Sequence, residues 1–238
     1  EPESVLQTIT ERTSIALELI DMRLHSGEHA RMGAVDVVPF IPIKGVTMEE
    51  CIDLSNRYAK LVSDEHSLPV FLYANSARYP SRVRLPDIRK GEYEGLQEKI
   101  QSPDWKPDFG PAKFQPTMGA TATGARNFLI AYNVNLNTAD KSKANTIASK
   151  IRTSGIIVKN DNGETVRDKN GIVQRIPGIF EKLQAAGWMY NEEIAQVSMN
   201  LLDYSVTGLH DVTEAIKLES AKLGLEAVAG ELVGLVPL

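Results

Sequence analysis

From Ala195 to Leu202 the chain alternates, with Ala195, Val197, Met199 and Leu201 interleaved with Gln196, Ser198, Asn200 and Leu202. A period of two sends successive side chains to opposite faces, so the run reads as a strand with one apolar face and one mostly polar face. The same legibility extends to both sides. The expected elements are strand Asn127–Leu136, helix Thr138–Arg152, strand Lys182–Tyr190, strand Ile194–Tyr204, helix Gly208–Leu223 and strand Glu226–Leu232. Their order is βαββαβ, a split α+β unit. The polar strand face predicts a wet cleft. Asn162-Gly163 and Asn170-Gly171 predict tight turns in an exposed hairpin between Thr153 and Pro177.

The first half is less regular. Val5, Ile9, Ala16, Leu19 and Ile20, with Leu6 and Leu17 beside them, predict an amphipathic helix from Pro2 to Leu24, ended by Gly27. Val35–Ile43 is apolar and branched like a buried strand, but Pro39 and Pro42 cannot donate to a ladder, which places its far end at an edge. Thr47 and Glu50 form a capping box that opens a helix through Asp64, with Met48, Cys51, Ile52, Ala59 and Val62 inward. Leu68–Tyr73 returns as a strand. This helix-strand-helix-strand order fits the end of a second unit of the same kind whose opening strands are missing. From Ala74 to Gly124 prolines stand at 80, 86, 103, 107, 111 and 116, and one helix is expected near Tyr93–Gln101. Gly119–Gly124 lacks the Gly-Lys-Ser/Thr ending and follows no predicted strand, so a nucleotide loop is rejected.

One stretch concentrates chemistry. Gly27-Glu28-His29-Ala30-Arg31-Met32-Gly33 places an imidazole, a carboxylate and a guanidinium in one glycine-bounded turn. An imidazole titrates near neutral pH, so His29 can carry a proton between a nucleophile and a leaving group. Glu28 and Arg31 can bias its charge or hold an anionic substrate.

With Ala34–Ile43, Gly91-Glu92-Tyr93-Glu94, Pro107–Pro111, Gly119–Arg126, Ala195–Ser198 and Gly230–Leu238, all in order, this turn resembles glutamate formiminotransferase, the transferase half of formiminotransferase-cyclodeaminase. The resemblance covers nearly the whole chain. Two positions depart from the family pattern: Ala30 stands where proline is usual and Met118 where an aromatic is expected before Gly119. Family members also carry an opening strand and an acidic active-site segment before the helix at which this chain starts. The expected first subdomain is therefore truncated, with an open sheet edge.

The resemblance implies two ferredoxin-like subdomains, at 1–124 and 125–238, with their sheets facing each other and folate between them. It implies transfer of a formimino group from N-formimino-L-glutamate to N5 of tetrahydrofolate, as in histidine breakdown. His29 is then the proton carrier, Arg31 a partner for a substrate carboxylate, and Glu28 or Asp36 an orienter of the ring. The folate-contacting segment is Gly110-Pro111-Ala112-Lys113-Phe114-Gln115-Pro116-Thr117-Met118-Gly119. Its glycines and prolines suit close backbone approach to a flat ring system. Some of Arg78, Arg82, Arg84, Arg89, Lys90, Lys99, Lys106, Lys113 and Arg126 are expected to line a positive channel for the carboxylates of a polyglutamylated folate. A homodimer and an accompanying cyclodeaminase domain follow from the family. A non-catalytic folate-binding or assembly module, or a formyl donor, are the competing readings.

Composition agrees. The 238 residues are 42% hydrophobic, enough to fill a core, and the net charge of -5 argues against a nucleic-acid partner. The lone Cys51 cannot form an internal disulfide, and Glu1-Pro2-Glu3-Ser4 does not read as a signal peptide, so a cytoplasmic location away from membranes is expected. No cysteine or acidic partner stands at ligand spacing around His25, His66 or His210, and no metal is expected. A serine nucleophile elbow is absent, and Trp105 and Trp188 read as packing residues.

Overall fold

Seven elements build the first half: α1 (Pro2–Leu19), β1 (Val37–Phe40), α2 (Met48–His66), β2 (Val70–Leu72), α3 (Leu85–Arg89), α4 (Glu92–Lys99) and β3 (Thr121–Ala125). The structure is a computed structural model and describes residues 1–26 and 30–236, which divide into units Glu1–Asn127 and Phe128–Leu238.

Helix α1 ends five residues before the predicted Leu24, a short 3-10 turn at Met22–Leu24 following it. Its inward face also differs from the aliphatic stripe. Val5 and Leu19 are exposed, whereas Leu6 and Thr13 are buried. Thr13 can face inward because its hydroxyl bonds the Ile9 carbonyl (2.8 Å) and the Tyr58 hydroxyl (2.8 Å), so the buried polar group is satisfied. Burial pushes the Tyr58 phenol up to about 12. Helix α2 opens with both bonds of the Thr47/Glu50 capping box and buries Cys51, Leu54, Tyr58, Ala59 and Val62. Ile52 and Met48 pack at its margin.

The strands of this unit run parallel in the order β1-β3-β2, with Val37 opposite Ala122 and Val70 opposite Thr121. The expectation that this half is the end of a βαββαβ unit is corrected here, since neighbours in such a unit run antiparallel. Parallel neighbours require crossovers, which α2 and the long segment from Tyr73 to Ala120 supply. The central strand β3 was not anticipated. All five of its residues are buried, as in parallel sheets covered on both faces, and its threonine hydroxyls donate to the Val35 (2.6 Å) and Val38 (2.8 Å) carbonyls. β1 is an edge strand, which accommodates Pro39.

The second unit contains β4 (Ile130–Leu136), α5 (Lys141–Ile151), the short strands β5 (Ile156–Ile157) and β6 (Arg175–Ile176), then β7 (Leu183–Met189), β8 (Ala195–Leu201), α6 (Leu209–Ala221) and β9 (Ala227–Val233). Four strands form an antiparallel sheet in the order β7-β8-β4-β9. One face carries Val134, Leu183, Val197, Met199 and Leu201 against Ile147 and Ile151 of α5 and Val212 and Ile216 of α6, a single apolar core. The other face is mixed, with Ala131, Ala186, Trp188 and Val233 beside a set of polar side chains. Ser198, Asn133 and Glu231 share one row and Gln196 and Asn135 the next. Glu231 accepts from Asn133 (3.0 Å) and Gln196 (3.1 Å). β5 and β6 form the exposed hairpin, extended by bridges at Lys159–Thr165 and Arg167–Val173, with Gly163 and Gly171 at positive φ in the turns. Parallel and antiparallel sheets thus occur in separate units, an α+β architecture.

Candidate functional site

Two glycines bring distant segments together. Gly33 and Gly119 pair across an isolated bridge, with Ala34 N–H donating to the Met118 carbonyl (2.9 Å) and Ala120 N–H to the Met32 carbonyl (3.0 Å). A Cβ on either glycine would run into the other strand's backbone carbonyls, and Gly119 also holds a φ of +69°. Only glycine allows this approach. Met22 N–H donates to the Thr117 carbonyl (2.9 Å), so described residues on both sides of positions 27–29 lean on the end of the 110–119 segment.

Helices α3 and α4 hold the same turn from another side. Arg31, largely buried, donates to Glu94 (2.5 and 3.0 Å) and Glu92 (3.2 Å), and its backbone carbonyl accepts from Tyr93 N–H (2.8 Å). Through that bond first, and its own backbone second, the Glu94 carboxyl is held below its ordinary value. Asp36 accepts from Met32 N–H (2.8 Å) and pairs with Arg89, so it closes the turn and ties it to α3. Tyr93 completes the link by donating its hydroxyl to the Pro116 carbonyl (2.6 Å) while its ring packs on Phe114. Ser26, Arg31, Gly91, Glu92 and Glu94 border a cleft of about 410 Å³ here. A separate apolar cleft of about 440 Å³, bordered by Val5, Ile9, Phe40, Ile43 and Leu54 among others, lies beside β1 and gathers no comparable chemistry.

Glu28 and His29 lie outside the described residues. Of the remaining sequence-predicted residues, Arg31 is brought beside the 110–119 segment, with its guanidinium engaged by two glutamates. Within that segment Gly110, Ala112, Lys113 and Pro116 are exposed, Pro111, Phe114, Gln115, Thr117 and Met118 are half-buried, and Gly119 is buried. Gln115 shapes the end of the loop, its carbonyl accepting from Met118 (3.2 Å) and Gly119 (2.7 Å) N–H.

The expected positive channel loses much of its charge to structural use. Arg82 is buried on Asp108, Arg89 pairs with Asp36, and Arg78 lies over the Phe109 ring at 4.8 Å. Lys99 donates to the carbonyls that close α3 and lies 3.9 Å from the Trp105 ring centroid. Lys90, Lys106 and Lys113 remain exposed, and Arg84 is exposed beside Asp87 (3.9 Å). Sequence reasoning missed Tyr93, Glu92, Glu94 and Asp108 as site-builders. Their only signal was membership in the Gly91–Glu94 and Pro107–Pro111 runs. Among the described residues no group of three His, Cys, Asp or Glu side chains is arranged to hold a metal, and no helix is long and apolar enough to cross a membrane. His66 bonds the Ser14 hydroxyl (2.8 Å).

Comparison with known proteins gives this geometry a family. The N-terminal subdomain of the formiminotransferase domain matches residues 1–126, and the formiminotransferase domain matches residues 131–238. A formimidoyltransferase-cyclodeaminase of Rattus norvegicus is 46% identical over 239 residues, covering 100% of this chain and 41% of that protein. Glutamate formimidoyltransferases of Streptococcus pyogenes and Thermoplasma acidophilum are 39% and 42% identical, over 99% and 93% of this chain and 72% and 67% of their own lengths. The chain thus spans about two-fifths of the length of the bifunctional relatives it matches. With both units matched in order, the chain belongs to the formiminotransferase domain family.

Proposed function

We propose that the chain carries formiminotransferase activity, moving the formimino group of N-formimino-L-glutamate to N5 of tetrahydrofolate and releasing L-glutamate. The observation that carries this reading is the Gly33–Gly119 junction, which fastens residues 32–34, just after the sequence stretch that contains His29, to the end of the 110–119 loop. The glutamate formimidoyltransferase name of two relatives supports the donor.

The N5 nitrogen of tetrahydrofolate attacks the amidine carbon, giving a tetrahedral species that bears three nitrogens. Collapse breaks the bond to the glutamate nitrogen, which must leave protonated. His29 takes the proton from N5 and delivers it to that nitrogen, a step for which a positioned acid/base contributes about two to four orders of magnitude. Glu28 and Arg31 act beside His29, Arg31 being fixed by Glu94 and Glu92. The 110–119 segment receives the folate, with Lys113 as an exposed cation for a glutamate tail.

The second unit is read as a ferredoxin-like sandwich, supported by the order β9-β4-β8-β7 and by both helices packing on one face. In the same reading the protein acts in the cytoplasm as a homodimer, and a cyclodeaminase activity accompanies it, as the printed names of several relatives combine the two. Gel filtration tests the dimer.

The deciding experiment mixes the purified protein with N-formiminoglutamate and tetrahydrofolate and measures glutamate release. Turnover that His29→Ala abolishes, with tetrahydrofolate still bound, supports the reading. Binding without turnover, or turnover indifferent to His29→Ala, overturns it.

A further inference from the structure

We propose that the buried Arg82–Asp108 pair is a positioning device that sets where the 110–119 loop begins; as a statement about ligand binding, it rests on reading that loop as the folate segment. The side chains of Arg82 and Asp108 are only 2% and 1% exposed. Arg82 Nη1 donates to Asp108 Oδ2 (2.8 Å), while Nη2 donates to the carbonyls of Asp104 (3.0 Å) and Lys106 (2.7 Å). The guanidinium is enclosed by aromatic rings, with centroids at 4.5 Å for Tyr79, 5.4 Å for Phe71 and 5.6 Å for Trp105. Asp108 Oδ2 also accepts the N–H of Leu72 (2.8 Å), the last residue of β2.

One cation thus gathers the backbone carbonyls of residues 104 and 106 and the carboxylate of Asp108, which in turn holds a strand end. The bonds between Val70 and Phe109 continue the tie. The next residue is Gly110, at a φ of +83°, where a Cβ would collide with the Leu68 carbonyl. The loop therefore leaves the pair through a glycine wedged against the fold and arrives at Gly119, wedged against Met32.

Taking two charges out of water is costly, and their attraction offsets that cost only with good geometry and further hydrogen bonds. Here Arg82 Nε and Asp108 Oδ1 have no partner, so the arrangement is not optimised as an ion pair. Of the bonds made beyond the pair, those to the Asp104 and Lys106 carbonyls fix backbone that leads into the loop, and that to Leu72 N–H ties the pair to β2. A loop that receives a ligand binds best when its shape is already set, because ordering it on binding costs affinity.

The test uses Arg82→Lys, which keeps the charge but loses the planar fork. Its control is Val62→Ala, a buried substitution in α2 of the same unit. Expected for Arg82→Lys is a rise in KM for tetrahydrofolate of about ten-fold with kcat nearly unchanged, because a displaced positioning element weakens productive placement. Amide hydrogen exchange should quicken across residues 110–119 in the folded protein. Val62→Ala should lower the melting temperature with neither effect.

An unchanged KM for Arg82→Lys, or an equal rise in Val62→Ala, overturns the proposal and leaves the pair a stability element. If the wild-type protein binds no tetrahydrofolate, the folate reading fails and exchange alone decides; unchanged exchange across 110–119 then overturns the positioning role. Should Arg82→Lys not fold, Asp108→Asn, which keeps the volume and an acceptor for Leu72 N–H, carries the same measurements.

Discussion

The two units locate their residues by different means. In Phe128–Leu238, four strands of seven residues each zip antiparallel, and one apolar face meets two helices, so each position follows from its neighbours along the chain. In Glu1–Asn127 the strands have three to five residues, and the region of the proposed site is set by contacts between distant residues: Arg31 with Glu94, Asp36 with Arg89, Arg82 with Asp108, Gly33 with Gly119. Periodic packing makes a frame, whereas a few polar and glycine contacts place chemistry. Substitutions should therefore separate, those in the first unit striking function and those in the second striking stability.

The largest separation is expected between His29→Ala and Ile147→Ala. The first should lower glutamate release by about two to four orders of magnitude while leaving thermal unfolding close to wild type. Ile147 is fully buried in α5, and its truncation should cost about 2–5 kcal/mol in chemical denaturation, the range for large-to-small core changes. The folded fraction of Ile147→Ala should keep its KM for tetrahydrofolate. A KM that moved with Ile147→Ala would break the division between frame and site.

A smaller contrast lies between two glycines of similar backbone. Gly119 and Gly163 hold φ of +69° and +80°, so alanine strains both by about 1–2 kcal/mol. At Gly163 a methyl meets nothing within 4 Å, and the strain is the whole effect. At Gly119 it also meets the Met32 carbonyl and must push the turn off the loop. Denaturation should show the larger loss for Gly119→Ala, and only that variant should lose turnover. Equal losses with turnover intact in both would remove the Gly33–Gly119 junction from the site.

This division also governs what could be read from the chain. The alternation of Ala195 to Leu201 predicts β8 within a few residues, and Lys182–Tyr190 overlies β7, because a one-sided sheet writes its register into a period of two. Thr47 and Glu50 announce α2 because a capping box is local. β3 left no such mark. Thr121-Ala122-Thr123-Gly124-Ala125 is small and buried on both faces, and its hydroxyls are satisfied only by the Val35 and Val38 carbonyls more than eighty residues away. For the same reason Arg82 read as a channel cation, since nothing local reveals that Asp108 and three aromatic rings enclose it. The chemistry of the 27–33 stretch stands out because it is contiguous in the sequence, while Tyr93 and Glu94, which hold Arg31, come from a helix some sixty residues away and leave no such mark.

The smallest expected effects distinguish the units by pH. Lys99 donates to the Asp87, Ile88 and Lys90 carbonyls, yet burial, with Lys90 adding repulsion, brings its pKa from 10.5 down to about 8. Between those values the unfolded chain holds the proton that the folded chain has lost, so this group makes stability rise with pH from about 8 to about 10. Below that window its penalty is fully present. In the second unit, Glu219 is mostly buried between Lys150 (2.6 Å) and Lys222 (2.5 Å), whose hydrogen bonds hold its carboxyl below 4.5. Its contribution is present above its unfolded value and is lost as pH falls through the folded one. Melting temperatures measured across pH should therefore lose their alkaline rise in Lys99→Met and fall less steeply in acid in Glu219→Gln, where Glu94 and other paired carboxylates still contribute, each variant leaving the other limb unchanged. An alkaline rise that survives Lys99→Met would mean that the half-buried ammonium under Trp105 is not what the first unit strains to hold, and the contrast between a polar-placed edge and an apolar frame would lose its electrostatic support.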